Sequence, residues 1–111
     1  MIKWYDELPY AITVSDKEGN IIYMNNRSAD TFEKYGGHGL LGKSLFGCHP
    51  QQASDKIREM LASHETNAYT IEKNGLKKLI YQSPWYENGE FAGLIELSLV
   101  LPENMPHFVR K

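Results

Sequence analysis

The segment from residue 11 to residue 32 reads AITVSDKEGNIIYMNNRSADTF, and it predicts a strand, a tight turn, a second strand and a helix. Ile12 and Val14 alternate with polar residues at the two-residue period of a half-buried strand. Asp16 can accept a backbone N–H two residues on, and Gly19 supplies a positive φ, so the chain turns back between them. The apolar run at 21–24 then predicts the partner strand of an antiparallel hairpin.

A capped helix is expected directly after this hairpin. The side-chain amide of Asn25 or Asn26 can accept the unpaired N–H groups of a first helical turn. Phe32 belongs to an amphipathic pattern that continues to about Tyr35. The sequence GGHG at 36–39 removes helix propensity, so the helix should end there and a glycine-rich loop should follow.

Composition limits the chain to one compact domain and excludes several functions. Its 111 residues are 41% hydrophobic, which suffices for a single core. A net charge of −2 disfavours direct binding to nucleic acid. There is no run of about 18 apolar residues, and residues 1–6 lack the apolar stretch of a signal peptide, so neither membrane insertion nor export is expected and the cytoplasm is the predicted location. The single cysteine excludes an internal disulfide.

Three regions are predicted along the chain: an N-terminal helix or cap at 1–10, a domain at 11–101 and a tail at 102–111. Pro9 should end the first helix, whose apolar residues are Trp4, Tyr5 and Leu8. A longer helix begins at Pro50, which suits a first helical position. Its apolar face comprises Ala53, Ile57, Met60, Leu61 and His64.

Three strands are predicted at 68–73, 77–86 and 91–101, joined by Asn-Gly turns that are typical of tight hairpins. Pro84 cannot donate to a strand ladder, so the middle strand should end or bulge there. In the last strand the sequence predicts a core face of Ile95, Leu97 and Leu99. The opposite face would be covered by a helix or a partner and would carry Leu94, Glu96, Ser98 and Val100.

Five short motifs occur in order along residues 8–100. They are Asp16-Lys17-Glu18-Gly19-Asn20, Tyr23-Met24-Asn25, the helix with Ala29, Gly42-Lys43-Ser44-Leu45, and the segment from Gly89 to Gly93. In order and spacing these motifs resemble those of PAS domains. The resemblance implies an α+β PAS fold, with a five-stranded antiparallel sheet, helices packed on one face and a short N-terminal helix. It also implies a cytoplasmic sensory or interaction module that regulates signal transduction or transcription, and often a homodimer.

The end of the chain departs from the PAS pattern. Signalling PAS domains commonly continue from an Asp-x-Thr-like junction into a coiled-coil linker, whereas residues 101–106 read LPENMP. The two prolines bar a continuous helix. The chain is therefore expected to be a free-standing module or an excised piece. The sequence does not identify its effector protein.

No catalytic arrangement is predicted, so we do not expect an enzyme. The string from Gly37 to Ser44 matches a P-loop, but a P-loop needs a strand before it and a helix directly after it. No Ser, His and Asp set has meaningful spacing. Glu96 is the one carboxylate within an apolar strand, and we expect it on the outer face, paired with a Lys or Arg.

The resemblance also raises haem and flavin as cofactors, but no matching motif supports either. Cys48-His49 lacks the further ligands of a zinc site. Haem-binding relatives take a His from the long helix, where His64 lies only at the far end and His49 at the start. The Cys of flavin-binding relatives lies in an Asn-Cys-Arg-Phe-like motif, which residues 47–50 do not match. The cofactor is left unknown and no metal site is predicted.

Two kinds of site remain as hypotheses. A small ligand could bind in a cavity between the sheet and the helices, lined by Phe32, Tyr35, Ile57, Met60, Leu61, Tyr69, Tyr81, Trp85 and Leu97. Such residues also form solid cores, so the alternative is a pure interaction module without a ligand. Its dimer or partner surface would comprise Trp4, Tyr5, Leu94 and Val100.

Overall fold

The computed structural model describes residues 2–47 and 51–111, and it contains one five-stranded antiparallel sheet in the order β2-β1-β5-β4-β3. The strands are β1 (Ala11–Ser15), β2 (Ile21–Met24), β3 (Asn67–Lys73), β4 (Leu76–Glu87) and β5 (Glu90–Val100). The helices are α1 (Asn26–Thr31) and α2 (Gln51–Ser63), with short 3₁₀ helices at Glu33–Tyr35, Gly37–Leu40 and Leu45–Gly47. The predicted α+β fold with a five-stranded antiparallel sheet is confirmed.

The first hairpin forms for the predicted reasons. One carboxylate oxygen of Asp16 accepts the N–H of Glu18 at 3.0 Å and of Asn20 at 2.9 Å, while Gly19 has a φ of +86°. Asn25 is the cap, because its side chain accepts the N–H of Ser28 at 3.0 Å. The α-helix ends earlier than expected, at Thr31, and a 3₁₀ helix continues to the predicted end at Tyr35.

The last three strands join through the two predicted Asn-Gly turns. Asn74 and Asn88 both have a φ of 53°, and the glycines after them also have positive φ, as a type I′ turn requires. Pro84 does not end β4, and the bulge lies one position later, between Trp85 and Tyr86. Since β3 pairs with β4 only as far as Gln82, the missing N–H of Pro84 costs no bond to β3.

The predicted N-terminal helix is wrong: residues 4–7 form a turn, in which Asp6 N–H donates to the Lys3 carbonyl at 3.1 Å. Side-chain and backbone contacts to the next helix hold this segment instead. The Asn25 amide donates to the carbonyls of Tyr5 and Tyr10, and Asn26 N–H donates to the Asp6 carbonyl at 3.0 Å. These bonds satisfy the backbone without a helix.

The two faces of β5 are reversed relative to the prediction. Leu94 is only 5% exposed and belongs to the core beneath the helices. The full core cluster comprises Ile21, Met24, Leu40, Leu45, Ile57, Met60 and Leu94. Ile95 and Leu97 lie opposite Val14 and Ile12 of β1, on the other side of the sheet. Apolar residues occupy both faces of β5, so hydrophobicity alone could not assign the core.

We call the side of the sheet that packs on the helices the inner face and the other side the outer face. No helix within residues 2–47 and 51–111 has both the length and the apolar character needed to cross a membrane.

Candidate functional site

A row of polar residues crosses the inner face of the sheet. Thr13 lies opposite Glu96, Glu96 opposite Gln82, and Gln82 opposite Asn67, so the row spans β1, β5, β4 and β3. Thr13 and Gln82 are buried, and Glu96 and Asn67 are partly buried. We call these four residues the polar row. A polar line beneath a helical layer is unusual, since such a position favours apolar packing.

Hydrogen bonds hold the polar row at both ends. The hydroxyls of Thr13 and Ser28 share a hydrogen bond of 2.5 Å. Ser28 is fully buried, and this bond joins β1 to α1. At the other end, the Asn67 amide donates to the Gln82 side-chain oxygen at 2.9 Å. Within the described chain, no buried side-chain N or O atom lacks a hydrogen-bond partner. The row is therefore a satisfied polar feature of the fold.

Two cavities meet at the polar row. The smaller has a volume of about 20 Å³, enough for about one water, and lies against Leu45, Ile57, Met60 and Leu94. The larger has a volume of about 180 Å³ and opens toward β3. Thr13 and Glu96 line both cavities. The other residues around the larger cavity are Ala11, Thr31, Phe32, Tyr69, Ile71, Lys73, Lys78, Ile80 and Ser98.

The larger cavity is lined by both acidic and basic side chains. Partial burial raises the pKa of Tyr69, the negative charge of Glu96 raises it further, and a hydrogen bond with Gln82 opposes the shift. The Tyr69 hydroxyl thus stays protonated at neutral pH and can donate. Lys73 and Lys78 line the same cavity, so it has acidic and basic groups together with the aromatic ring of Phe32.

Four of the nine predicted ligand-binding residues lie at these cavities. Ile57 and Met60 of α2 border the smaller cavity, and Phe32 and Tyr69 border the larger one. Leu61 packs against the core cluster without lining either cavity. A ligand-binding role for the four cavity residues stays a prediction.

The other four predicted residues lie away from the cavities. Tyr81 and Leu97 are directly opposite each other on the outer face, because their neighbours in sequence face inward. Trp85 donates its ring N–H to the Ser15 carbonyl at 2.9 Å, which fixes the indole near the first hairpin. Tyr35 is exposed, beside Lys34.

The predicted partner residues are also separated. Leu94 is a core residue and cannot contribute to a surface patch. Trp4 packs edge-on against Tyr5, with ring centroids 5.2 Å apart. The Tyr5 ring also contacts the ring of Tyr23 in β2, with centroids 5.1 Å apart. Tyr23 lies opposite Val14, so this aromatic chain adjoins the outer face. Val100 is exposed at the far end of β5.

An apolar outer face is the second feature of the sheet. Its residues are Ile12, Val14, Tyr23, Leu79, Tyr81, Ile95, Leu97 and Leu99. Ile12 is buried, but Tyr81 is 41% exposed and most of the others are partly exposed. Single exposed apolar residues are ordinary, whereas an apolar sheet face of this extent is typical of a protein contact.

Among residues 2–47 and 51–111 there is no group of three or more His, Cys, Asp or Glu that could hold a metal ion. Cys48 and His49 lie outside the described residues. The His64 ring stacks on Phe91, with centroids 3.7 Å apart, and does not line the larger cavity.

The polar row was missed by sequence reasoning, which placed Glu96 on the outer face and did not single out Thr13, Gln82 or Asn67. Strand pairing is the signal that joins them. The four residues come from distant parts of the chain and become neighbours only when the register of three strand pairs is known.

Comparison with known proteins identifies the family. A family model described as "PAS fold" matches residues 5–103, whereas no curated protein matches significantly. The PAS domain of BvgS from Bordetella pertussis is 24% identical, with a TM-score of 0.66 over 90% of this chain and 82% of that one. The Aer2 receptor from Vibrio cholerae is 16% identical, with a TM-score of 0.62 over 84% of this chain and 95% of that one.

VqmA, a Vibrio cholerae protein solved bound to DPO, is 15% identical, with a TM-score of 0.66 over 87% of this chain and 55% of that one. These likenesses concern the fold, which agrees with the strand order and the helical layer described above. The chain belongs to the PAS family.

Proposed function

We propose that this chain is a cytoplasmic sensory module that binds a small molecule in the larger cavity and passes the signal to a protein partner. The polar row carries the proposal. A core that only had to pack would place apolar residues at these positions, because each buried polar group must be paired at a cost in desolvation. Polar groups that converge on a mostly apolar cavity are typical of a ligand site. The proposal gives the chain no catalytic activity of its own.

Relatives of the same fold support this proposal. VqmA was solved bound to DPO, and Aer2 is described as a dual PAS-heme oxygen sensor. Both proteins contain a domain of this fold, and both are described with a small molecule. For the present chain a ligand other than haem is favoured among the described residues, since His64, which directly follows α2, stacks on Phe91 outside the cavity.

Mass spectrometry of small molecules released from the denatured protein, together with a thermal-shift screen of metabolites, tests the proposal. Ser98 lines the larger cavity, so Ser98→Leu should fill it and remove both the carried compound and the stabilisation. Ser83 lies on the outer face opposite Ile95, and Ser83→Leu is the matched control that should keep both. No carried compound and no stabilisation by any metabolite would favour a pure interaction module.

The outer face supports a second function, assembly into a homodimer. Strands β1, β5 and β4 place apolar side chains there, and the exposed Trp4 and its neighbour Tyr5 extend the surface beside β2. The Vibrio cholerae relative VqmA is described as a dimer. Stable interfaces bury about 800 Å² on each partner, which a whole sheet face can provide.

Light scattering over a range of protein concentrations tests the dimer. The proposal predicts a molar mass that rises to twice that of the chain and a smaller value after Trp4→Ala. A mass that stays at one chain at every concentration would contradict it.

A further inference from the structure

We propose that the ligand of the larger cavity is a small zwitterion, with an ammonium group held by the polar row and an anionic group held by Lys78. This inference rests on the proposed ligand-binding function and names the chemical class of the ligand. It is based on the different positions of the acidic and basic side chains on the inner face.

The ammonium end is assigned to Glu96 and its neighbours. Glu96 borders both cavities at the centre of the sheet, and its charge acts on Tyr69 across the larger one. Thr13 lies beside Glu96 and also lines the larger cavity, so its hydroxyl oxygen can accept a further hydrogen bond. Gln82 lies on the other side of Glu96 and adds a side-chain oxygen at the smaller cavity. An ammonium group has three donors and no acceptor, so a carboxylate flanked by neutral oxygens suits it.

The anionic end is assigned to Lys78, with Lys73 beside it. Both lysines line the larger cavity, and neither forms an ion pair with a residue that the structure describes. Lys78 is partly buried and also borders a neighbouring depression lined by Arg27 and Asp30. Lys78 has no ion-pair partner among the described residues, so its ammonium is available to an anion that arrives with the ligand.

The geometry of the strands sets the size of the ligand. Lys78 and Gln82 lie four positions apart on the inner face of β4, which corresponds to about 13 Å along the strand. The long side chains of Lys78 and Glu96 shorten the gap between their charged groups. Between them the wall is apolar or aromatic, formed by Phe32, Ile71 and Ile80. A compact molecule with two opposite charges and an apolar side chain that lies against this wall, such as an amino acid, matches this arrangement.

Calorimetry with matched probes tests the inference. L-phenylalanine carries both charges, phenylpropionate lacks the ammonium, and phenethylamine lacks the carboxylate. L-norleucine, hexanoate and pentylamine form the equivalent aliphatic set. Each zwitterion should bind at least about tenfold more tightly than either singly charged analogue, because each charge-assisted contact contributes about this factor.

Variants assign each charge to its residue. Glu96→Gln should weaken binding of L-phenylalanine about tenfold and abolish its preference over phenylpropionate. Lys78→Gln should abolish the preference over phenethylamine instead. Glu72 and Lys77 pair on the opposite side of the same hairpin, so Glu72→Gln and Lys77→Gln are matched controls that should leave every affinity unchanged.

Two kinds of failure are distinguishable. A zwitterion that binds no better than its analogues, or a Glu96→Gln variant with unchanged preference, overturns the inference. A carried or stabilising compound that lacks either charge also overturns it while the sensory function stands. If no compound of any class is carried or stabilises the protein, both proposals fall.

Discussion

Asn25 is the residue that joins three parts of the chain. Its side-chain oxygen accepts the N–H of Ile12 at 2.9 Å and the N–H of Ser28 at 3.0 Å. Its amide nitrogen donates to the carbonyls of Tyr5 and Tyr10. The side chain is 1% exposed, so water cannot replace these bonds in a variant without rearrangement.

Asn25→Ala is expected to lower the free energy of unfolding by about 2–4 kcal/mol, since it removes a helix cap and leaves buried backbone groups without partners. Urea denaturation measures this loss. Asn26 is adjacent but exposed, and Asn26→Ala should change stability by no more than about 0.5 kcal/mol. Equal losses for both variants would contradict the role assigned to Asn25.

Tyr23 links β2 to the N-terminal segment through a hydrogen bond to the Asp6 carboxylate. Burial raises the pKa of Tyr23 well above its ordinary value of about 10, and the hydrogen bond and charge of Asp6 raise it further. Above pH 10 the unfolded chain would release this proton while the folded chain keeps it. Stability supplied by Tyr23 is therefore complete below about pH 10 and is lost as pH rises above it.

Tyr23→Phe should lower the free energy of unfolding by about 1 kcal/mol at neutral pH, and the difference from wild type should shrink above about pH 10. Urea denaturation at neutral and alkaline pH provides the comparison. Asp6→Asn keeps an acceptor but removes the charge, so it should weaken the pH dependence without abolishing it. Parallel stability curves for wild type and Tyr23→Phe would exclude this explanation.

At the scale of elements, Gly93 allows β5 to approach β1. A Cβ at this position would lie 2.0 Å from the Ser15 carbonyl oxygen, and the residue has a φ of +153°. Trp85, which lies opposite Gly93 in the sheet, donates to the same carbonyl. The close approach thus positions the ends of both β1 and β5.

Gly93→Ala is expected to cost about 3 kcal/mol or more, because the clash is with backbone and the strands must separate. Thermal unfolding, with circular dichroism as the readout, measures the change. Gly39 has no neighbouring atom within 4 Å of an added Cβ, so Gly39→Ala is the matched control and should be nearly neutral. A Gly93→Ala variant as stable as the control would contradict the close approach of β5 to β1.

The elements themselves could be predicted from the sequence because local signals agree with the fold. The Asp16 turn, the Asn25 cap and both Asn-Gly turns act over a few residues, and each forms as expected. The N-terminal helix could not be excluded locally, since the bonds that replace it come from Asn25, far along the chain.

The site could be predicted only in part because it depends on register. The Asn88-Gly89 turn alone would place Gln82 opposite Ile95. The bulge between Trp85 and Tyr86 shifts the pairing by one residue, so Gln82 lies opposite Glu96 instead. Such a shift moves each side chain of the strand to the other face of the sheet, and no local sequence signal predicts it. Phe32 and Tyr69, which line the larger cavity, were predicted because aromatic residues are common in ligand cavities, and their ligand-binding role stays a prediction.

For the whole molecule, the two faces of one sheet have different characters. The inner face carries the polar row, whereas the outer face carries an apolar surface. Glu96 and Leu97 are consecutive residues of β5 that point to opposite sides. A ligand that moved β5 would therefore act directly on the surface proposed for the partner.

Leu97→Lys is expected to dissociate the proposed dimer, because a charge at the centre of an apolar interface is costly to bury. Light scattering should report the mass of one chain, and metabolite stabilisation should persist. Leu76→Lys is the matched control, since Leu76 is an exposed apolar residue at a hairpin, away from the outer face. A dimer that survives Leu97→Lys and dissociates with Leu76→Lys would place the interface elsewhere.

The most direct test of a ligand site on the inner face is an NMR titration with the compound that stabilises the chain most strongly. The side-chain amides of Gln82 and Asn67 report from within the polar row, and that of Asn74 reports from a hairpin turn. We predict that the Gln82 and Asn67 side-chain resonances shift on binding while that of Asn74 does not. Unchanged Gln82 and Asn67 resonances, with shifts confined to outer-face residues, would contradict the account.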